Sequence, residues 1–346
     1  MDNSVEDINV KNRIEELIRN SNLGTKIVGI SKVTGGLSHR MYKVVTDKEI
    51  YAVKKLNPGL MKREEAYSNF VFTERVIDIA KENGIPAIGA IKFGKDIMKR
   101  INGSFFMVFE WIDGKILKSE EITEKHCEIL GRILSQIHNI DFSRIEDDGK
   151  KKIKTEEFEW NNYLELAKKS NKTYVDILEK NIELLQDLNK KANEANEYSK
   201  KKLVISHTDL DRKNVMWKED KPFIIDWDAS GYINPTIELI QVAWYWSGGD
   251  VQELDYNKFK IIVDSYKKHS KIEVDKNIEK LMYADIYNGL AWISYNFKRS
   301  LYIENNYEQE EIKLAENEII QSISEINYNI KQINKITEIL NLDKMG

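Results

Sequence analysis

The stretch Ile205-Ser206-His207-Thr208-Asp209-Leu210-Asp211-Arg212-Lys213-Asn214-Val215-Met216-Trp217, followed by Phe223-Ile224-Ile225-Asp226-Trp227-Asp228, decides how this chain is read. Val204-Ile205 reads as a buried strand. A polar loop follows, then Val215-Met216-Trp217 as a second strand. Lys218 to Lys221 make a charged turn, and Pro222, which cannot donate to a ladder, fits a strand start. Phe223-Ile224-Ile225 is a third strand that delivers Asp226 at its end. The pattern predicts Asp209, Asn214 and Asp226 close together on loops braced by strands.

Such a grouping suits phosphoryl transfer. One carboxylate accepts the proton of an attacking hydroxyl, while an amide oxygen and a second carboxylate hold Mg²⁺ on nucleotide phosphates. Asp209 precedes Asn214 by five positions, the spacing of Asp and Asn in the kinase catalytic loop H-R-D-x-x-x-x-N. There are departures: His207-Thr208-Asp209 replaces His-Arg-Asp, and Asp226-Trp227-Asp228 replaces Asp-Phe-Gly. The two stretches together resemble the aminoglycoside phosphotransferase and choline kinase family. Its pattern is close to H-G-D-L-x-x-x-N followed by I-D-[FW]-[DE]. Thr208 stands where that family usually has Gly.

Upstream, Ile30 to Val33, Met41 to Val45 and Ile50 to Leu56 read as three strands. Thr34-Gly35-Gly36-Leu37-Ser38-His39-Arg40 makes a Gly-rich turn between the first two. Glycines let a backbone approach phosphates and offer N–H donors. In the resembled family a Gly-Gly-x-x-[Ser/Asn] turn here covers the nucleotide, which implies that role for Gly35, Gly36 and, one position short of that spacing, Ser38. Ala52-Val53-Lys54 resembles the Ala-Ile-Lys strand of kinases. Alternation puts Ala52 and Lys54 on one face and Val53 and Lys55 on the other. Ala52 is small enough to sit against an adenine ring, and Lys54 would reach the α- and β-phosphates, with Lys55 as competitor. Residues 67–82 read as a helix holding Glu74, the candidate partner of Lys54; Glu64 and Glu65 are rivals. The apolar run Ser104 to Phe109 reads as a buried strand ending in Glu110-Trp111-Ile112-Asp113-Gly114. The resemblance makes this the hinge between lobes, where the backbone of Glu110 and Ile112 would hydrogen-bond the base.

The chain has 346 residues, 41% hydrophobic and 32% charged, with a net charge of −4. These values fit a globular protein of about two domains. No basic stripe with interleaved aromatics appears, which argues against nucleic-acid binding. The single Cys127 rules out an internal disulfide framework and a cysteine-based zinc site. Without a long apolar run or a cleavable signal pattern, the expected location is cytoplasmic, with no membrane association.

Beyond Gly114 the sequence reads as mainly helical. Helices are expected at residues 124–140, within 158–202, at 237–246, and at about 256–270, 275–300 and 307–340. His138 reads as a structural hydrogen-bonding residue. Trp292, Tyr295 and Asn296 could line an acceptor pocket or simply pack. The Pro235-Thr236-Ile237-Glu238-Leu239 stretch resembles the family's Pro-x-x-Asp-Leu, with Glu238 in place of Asp.

The expected architecture is a two-lobed, protein-kinase-like α+β fold. A small antiparallel-sheet lobe would span residues 1–110 and a larger, mainly helical lobe residues 111–346. The resemblance implies transfer of the γ-phosphoryl of ATP or GTP to a hydroxyl of a small molecule, such as an aminoglycoside, choline or a sugar. Asp209 would be the catalytic base, and Asn214 and Asp226 would hold Mg²⁺, with Asp228 as helper. No obligate protein partner is evident. The alternative is a catalytically silent, kinase-like nucleotide-binding or structural protein of the spore-coat type. A protein kinase fits less well, because no Asp-Phe-Gly and no Ala-Pro-Glu-ended activation segment are present.

Overall fold

The computed structural model describes residues 3–33, 39–145, 155–303 and 309–341. In chain order the elements are α1 (Asn3–Asn20), β1 (Ile27–Val33), β2 (Arg40–Thr46), β3 (Ile50–Lys55), α2 (Ala66–Glu82), β4 (Lys99–Ile101), β5 (Ser104–Glu110), β6 (Lys115–Ile116) and α3 (Glu124–His138). There follow α4 (Trp160–Lys169), α5 (Val175–Ser199), β7 (Val204–Ser206), β8 (Val215–Lys218), β9 (Lys221–Ile224) and β10 (Gly231–Ile233). The chain closes with α6 (Pro235–Trp246), α7 (Tyr256–His269), α8 (Ile278–Ser300) and α9 (Gln309–Asn341).

The described residues group into two compact units. The first draws on Met1–Leu117, Ile140–Asp148 and Asp209–Ser230; the second on Lys118–Asn139, Gly149–Thr208 and Gly231–Gly346.

In the first unit, β1-β2-β3-β5-β4 form a five-stranded sheet, antiparallel throughout. Period-two alternation gives it two apolar faces. On one, Tyr42, Val44, Tyr51, Val53, Phe106 and Val108 bury against Val10, Ile14, Leu17 and Ile18 of α1. On the other, Met107 and Phe109 pack with Phe70 and Val71 of α2. Lys54 lies opposite Met107 and Ala52 opposite Phe109, so both side chains share the α2 face. Lys55 lies opposite Phe106 and points to the α1 face.

A second, three-stranded sheet in this unit runs β6-β8-β9. The α2–β4 connection lies beside β9: Ile224 donates its N–H to the Pro86 carbonyl at 2.8 Å and accepts the Ile88 N–H at 2.9 Å. The chain after β9 is thereby tied to the loop that leaves α2. Pro222 is the second residue of β9, opposite Trp217, one step later than the strand start expected for it.

The second unit is mainly helical. Helix α3 starts at Thr123, whose hydroxyl accepts the His126 N–H, and it packs on α7. Gly131 makes that approach possible: a Cβ there would meet the Ile262 carbonyl at 2.3 Å. Cys127 is fully buried in α3, and burial pushes its thiol up to about 12, so it is not a nucleophile at neutral pH. Trp160, Tyr163 and Tyr174 surround Phe297 of α8, and α9 packs along α8. The two short strands β7 and β10 pair antiparallel. No described helix is long and apolar enough to cross a membrane.

Candidate active site

The side chains of the site all come from the first unit, and each arrives by a local device. Asp211 caps the short 3-10 turn Arg212–Asn214, and its carboxylate accepts the Arg212 N–H. That turn places Asn214 under Asp209. The Asn214 amide donates to the Asp209 carbonyl at 2.7 Å and to its Oδ2 at 2.9 Å. Both donors are thus directed at Asp209, and the amide oxygen is the group left to face a cation. The Asn214 backbone carbonyl accepts the Ile225 N–H at 2.9 Å, which ties this loop to the residue before Asp226. Strand β9 ends at Ile224, one residue short of the expected run, although this bond carries the β8–β9 register one pair further.

Asp226 adopts a left-handed conformation, with φ 56° and ψ 56°. Asp tolerates this region better than most side chains. The turn is held by Trp227, which is buried and donates its indole N–H to the Ile224 carbonyl at 3.1 Å. As a result Asp226 and Asp228 both meet Lys54. Its Nζ lies 2.8 Å from Asp226 Oδ1 and 2.7 Å from Asp228 Oδ2. Burial works against the Lys54 charge, but the Asp228 and Asp226 carboxylates override it and raise the ammonium above its ordinary value. Burial likewise pushes the Asp228 carboxyl up; the His39 ring, with Nε2 at 3.5 Å, and the Lys54 charge win and hold it at about 2. Lys54 and Asp228 are therefore both ionised at neutral pH.

Glu74 was expected to pair with Lys54, and the structure does not bring the two into an ion pair. Glu74 is buried, and both of its oxygens accept the Ala90 N–H, at 3.2 and 3.0 Å. Burial pushes its carboxyl up to about 7, with the Ala90 N–H pulling the other way. Lys54 already has two carboxylates within 2.8 Å, so a third buried anion would gain little. Gly89 lets this loop close in: a Cβ there would meet Ile77 Cγ2 at 2.8 Å and Glu74 Oε2 at 3.1 Å. The rivals Glu64 and Glu65 are exposed.

At the expected hinge, Trp111 donates its N–H to the Ile50 carbonyl at 3.2 Å. Alternation along an antiparallel ladder then turns the backbone of Glu110 away from β3. Ile91 uses that same side of β5 further down, donating to the Val108 carbonyl at 2.7 Å. Gly35, Gly36 and Ser38 lie outside the described residues.

Among the described residues no group of three or more His, Cys, Asp or Glu side chains could hold a metal ion. Two hard oxygens are nevertheless on hand, the Asn214 amide oxygen and the half-exposed Asp226 carboxylate. That sparse set fits Mg²⁺, which keeps several waters and takes only one or two protein carboxylates beside substrate phosphates.

The profile of the phosphotransferase enzyme family matches residues 29–260, well over half of the chain. The chain belongs to this family. No curated protein matches it by sequence. Among solved structures it is similar to spectinomycin phosphotransferase APH(9)-Ia in complex with ADP and spectinomycin, at 17% identity and TM-score 0.67, covering 95% of this chain and 98% of that one. An amicoumacin kinase in complex with AMP-PNP and Ca²⁺ matches at 12% identity and TM-score 0.59, covering 96% and 97%. Choline kinase from Cryptosporidium parvum matches at 14% identity and TM-score 0.54, covering 97% and 99%. The fold of this phosphotransferase-family chain is the two-lobed, protein-kinase-like α+β fold.

The second unit of this family member carries a buried network that ends at Thr208. Thr208 Nα–H donates to Glu238 Oε1 at 2.8 Å. Glu238 Oε2 lies 2.7 Å from His138 Nε2, and His138 Nδ1 lies 2.8 Å from the Tyr266 hydroxyl. Burial raises the Glu238 carboxyl, but the His138 hydrogen bond and the Thr208 N–H hold it below the usual range. His138 therefore has the structural part expected of it. Thr208 sits at φ 61°, a left-handed conformation that disfavours a β-branched residue. This is the position where Gly is usual. Thr208→Gly should accordingly stabilise the protein by about 0.5–1 kcal/mol, the relieved strain exceeding the added chain entropy. Urea unfolding of the two proteins checks it; a fall in midpoint would contradict the strain.

Trp292, Tyr295 and Asn296 all lie on α8. Trp292 and Tyr295 are exposed and stack on each other at 5.5 Å. Asn296 is buried and donates to the Trp292 carbonyl within α8. Two features that the sequence reading underweighted are Asp228, which makes the shortest contact to Lys54, and His39, which supports Asp228. The two-residue spacing of Asp226 and Asp228 after a strand end hinted at the first.

Proposed function

We propose that this chain transfers the γ-phosphoryl of ATP or GTP to a hydroxyl group of a small molecule. The observation that carries the reading is the coupled geometry of four side chains. Asn214 holds Asp209 by its amide, its carbonyl holds the residue before Asp226, and Asp226 meets Lys54. Asp209 accepts the acceptor's hydroxyl proton and orients that oxygen toward the phosphorus. Asn214 Oδ1 and Asp226 hold Mg²⁺, which when bound neutralises charge on the phosphates. Lys54 moves its ammonium from the aspartates to the α- and β-phosphates. Ala52 faces the adenine ring, Glu110 and Ile112 offer backbone groups to the base, and Gly35, Gly36 and Ser38 cover the phosphates. Positioning and charge neutralisation carry the rate, since little covalent chemistry is asked of the protein.

The ADP and AMP-PNP complexes of the similar structures support an adenine nucleotide as donor. The acceptor is aminoglycoside-, choline- or sugar-like, and the protein works in the cytoplasm without nucleic acid, membrane or an obligate protein partner. The test is a coupled nucleotide-consumption screen over such acceptors, run with ATP and GTP separately. A small hydroxylated molecule should stimulate nucleotide use, and a general protein substrate should not. Efficient phosphorylation of casein-like proteins with no small acceptor found would contradict this specificity. Absence of turnover with every acceptor would favour the silent, spore-coat-type alternative.

A further inference from the structure

His39 lies in the Gly-rich stretch 34–40 but has no role of its own in the proposed reaction. It stands immediately before β2, with a ring only 10% exposed. Its Nδ1 accepts the Asn57 N–H at 3.0 Å. A backbone N–H can only donate, so Nδ1 carries the lone pair and the neutral ring bears its proton on Nε2. Nε2 lies 3.5 Å from Asp228 Oδ2, within reach to donate to it. Phe70 packs at 6.0 Å from the ring centre and limits its rotation. Asp228 Oδ2 thus faces two donors, Lys54 at 2.7 Å and the imidazole. Asp226 is half-exposed and meets Lys54 alone of these two.

That asymmetry has a consequence for Lys54. A partly buried carboxylate such as Asp228, 30% exposed, holds a single cationic partner more firmly than one shared between two donors, because that partner alone offsets the lost hydration. A second donor on the same oxygen relieves part of this demand. The ammonium is then easier to transfer to an incoming phosphate, while Asp228 stays anchored after Lys54 has left. We propose that His39 is a positioning residue: its Nε2–H holds Asp228 and thereby leaves Lys54 available to the nucleotide phosphates. This rests on the phosphotransfer reading above.

Two variants separate the donor from the loop tie. His39→Gln places an amide N–H near the Nε2 position. His39→Asn keeps an acceptor near Nδ1 for Asn57 but has no donor that reaches Asp228. Steady-state kinetics at saturating Mg²⁺ should show His39→Asn raising KM for the nucleotide about tenfold, the size of one hydrogen bond to a charged group. Its kcat should stay within a few-fold, and His39→Gln should resemble wild type. Thermal unfolding of both variants serves as the folding control. The opposite ranking, unchanged KM in both, or equal losses that follow a drop in Tm would each overturn the proposal. Nitrogen-15 spectra of the wild-type imidazoles read the tautomer without any turnover, and a protonated Nδ1 on His39 would overturn it as well. If wild type uses no nucleotide while the tautomer is as described, the phosphotransfer reading fails and the proposal falls with it. If wild type is active and the variants rank wrongly, the proposal fails alone.

Discussion

Lys54→Ala should cut nucleotide-dependent turnover by roughly 10²–10³, the usual cost of deleting one preorganised charge, while Lys55→Ala should leave it within a few-fold. The two lysines are neighbours in one strand, yet the register puts them on opposite faces. Lys54 is on the face of Met107 and α2, buried beside Asp226 and Asp228. Lys55 is opposite Phe106, on the face that α1 covers. Only Lys54 can therefore pass its charge from the aspartates to a phosphate. Removing it also leaves two nearby carboxylates without their common cation, so a fall in stability is expected beside the fall in rate. Lys54→Met at matched Tm, or rates compared well below the melting range, keeps the two effects apart. Turnover lost in Lys55→Ala and retained in Lys54→Ala would exclude Lys54 from the phosphate site.

Sequence alone went furthest where one spacing implied one geometry. Asp209 and Asn214 are five positions apart, and a loop of that length lets the amide reach back to the carboxylate, as it does at 2.9 Å. The face of Lys54 followed from strict alternation, because a six-residue strand within a sheet has only two faces to offer. Glu74 was less legible. A carboxylate on a helix beside a lysine strand suggests an ion pair, but nothing in the sequence tells which backbone N–H will otherwise lack a partner. Here the Ala90 N–H takes the carboxylate, and Lys54 is satisfied by residues more than 170 positions away. The same limit hid His39, whose partner Asp228 is equally remote in sequence. Long-range polar pairings are set by tertiary register, and neither period nor local propensity encodes them. The strain at Thr208 lay between these cases. The unusual residue was visible in the sequence, whereas its left-handed backbone and the Glu238 contact that holds it were not.

Asp209→Asn and Asp226→Asn should fail in different ways, although the two aspartates sit on neighbouring loops. The Asn214 amide donates to the Asp209 carbonyl and to its Oδ2, so the carboxylate is held from the protein side. Lys213 lies 3.4 Å from the same Oδ2, a further positive neighbour. An asparagine there keeps the size and can still accept from Asn214, but it cannot take a proton. Turnover should drop by roughly 10²–10⁴, the range for loss of a general base, with Mg²⁺-nucleotide affinity within a few-fold of wild type. Asp226 is half-exposed and meets Lys54 through Oδ1. Asp226→Asn exchanges a hard anionic ligand for a neutral one, and Mg²⁺ strongly prefers the former. It should weaken Mg²⁺-dependent nucleotide binding and turnover together, and raised Mg²⁺ should restore part of both. Calorimetric titration of nucleotide with and without Mg²⁺, set beside rates for each variant, separates the two failures. If Asp209→Asn abolishes Mg²⁺-dependent binding while Asp226→Asn leaves it intact, the two roles are assigned the wrong way round.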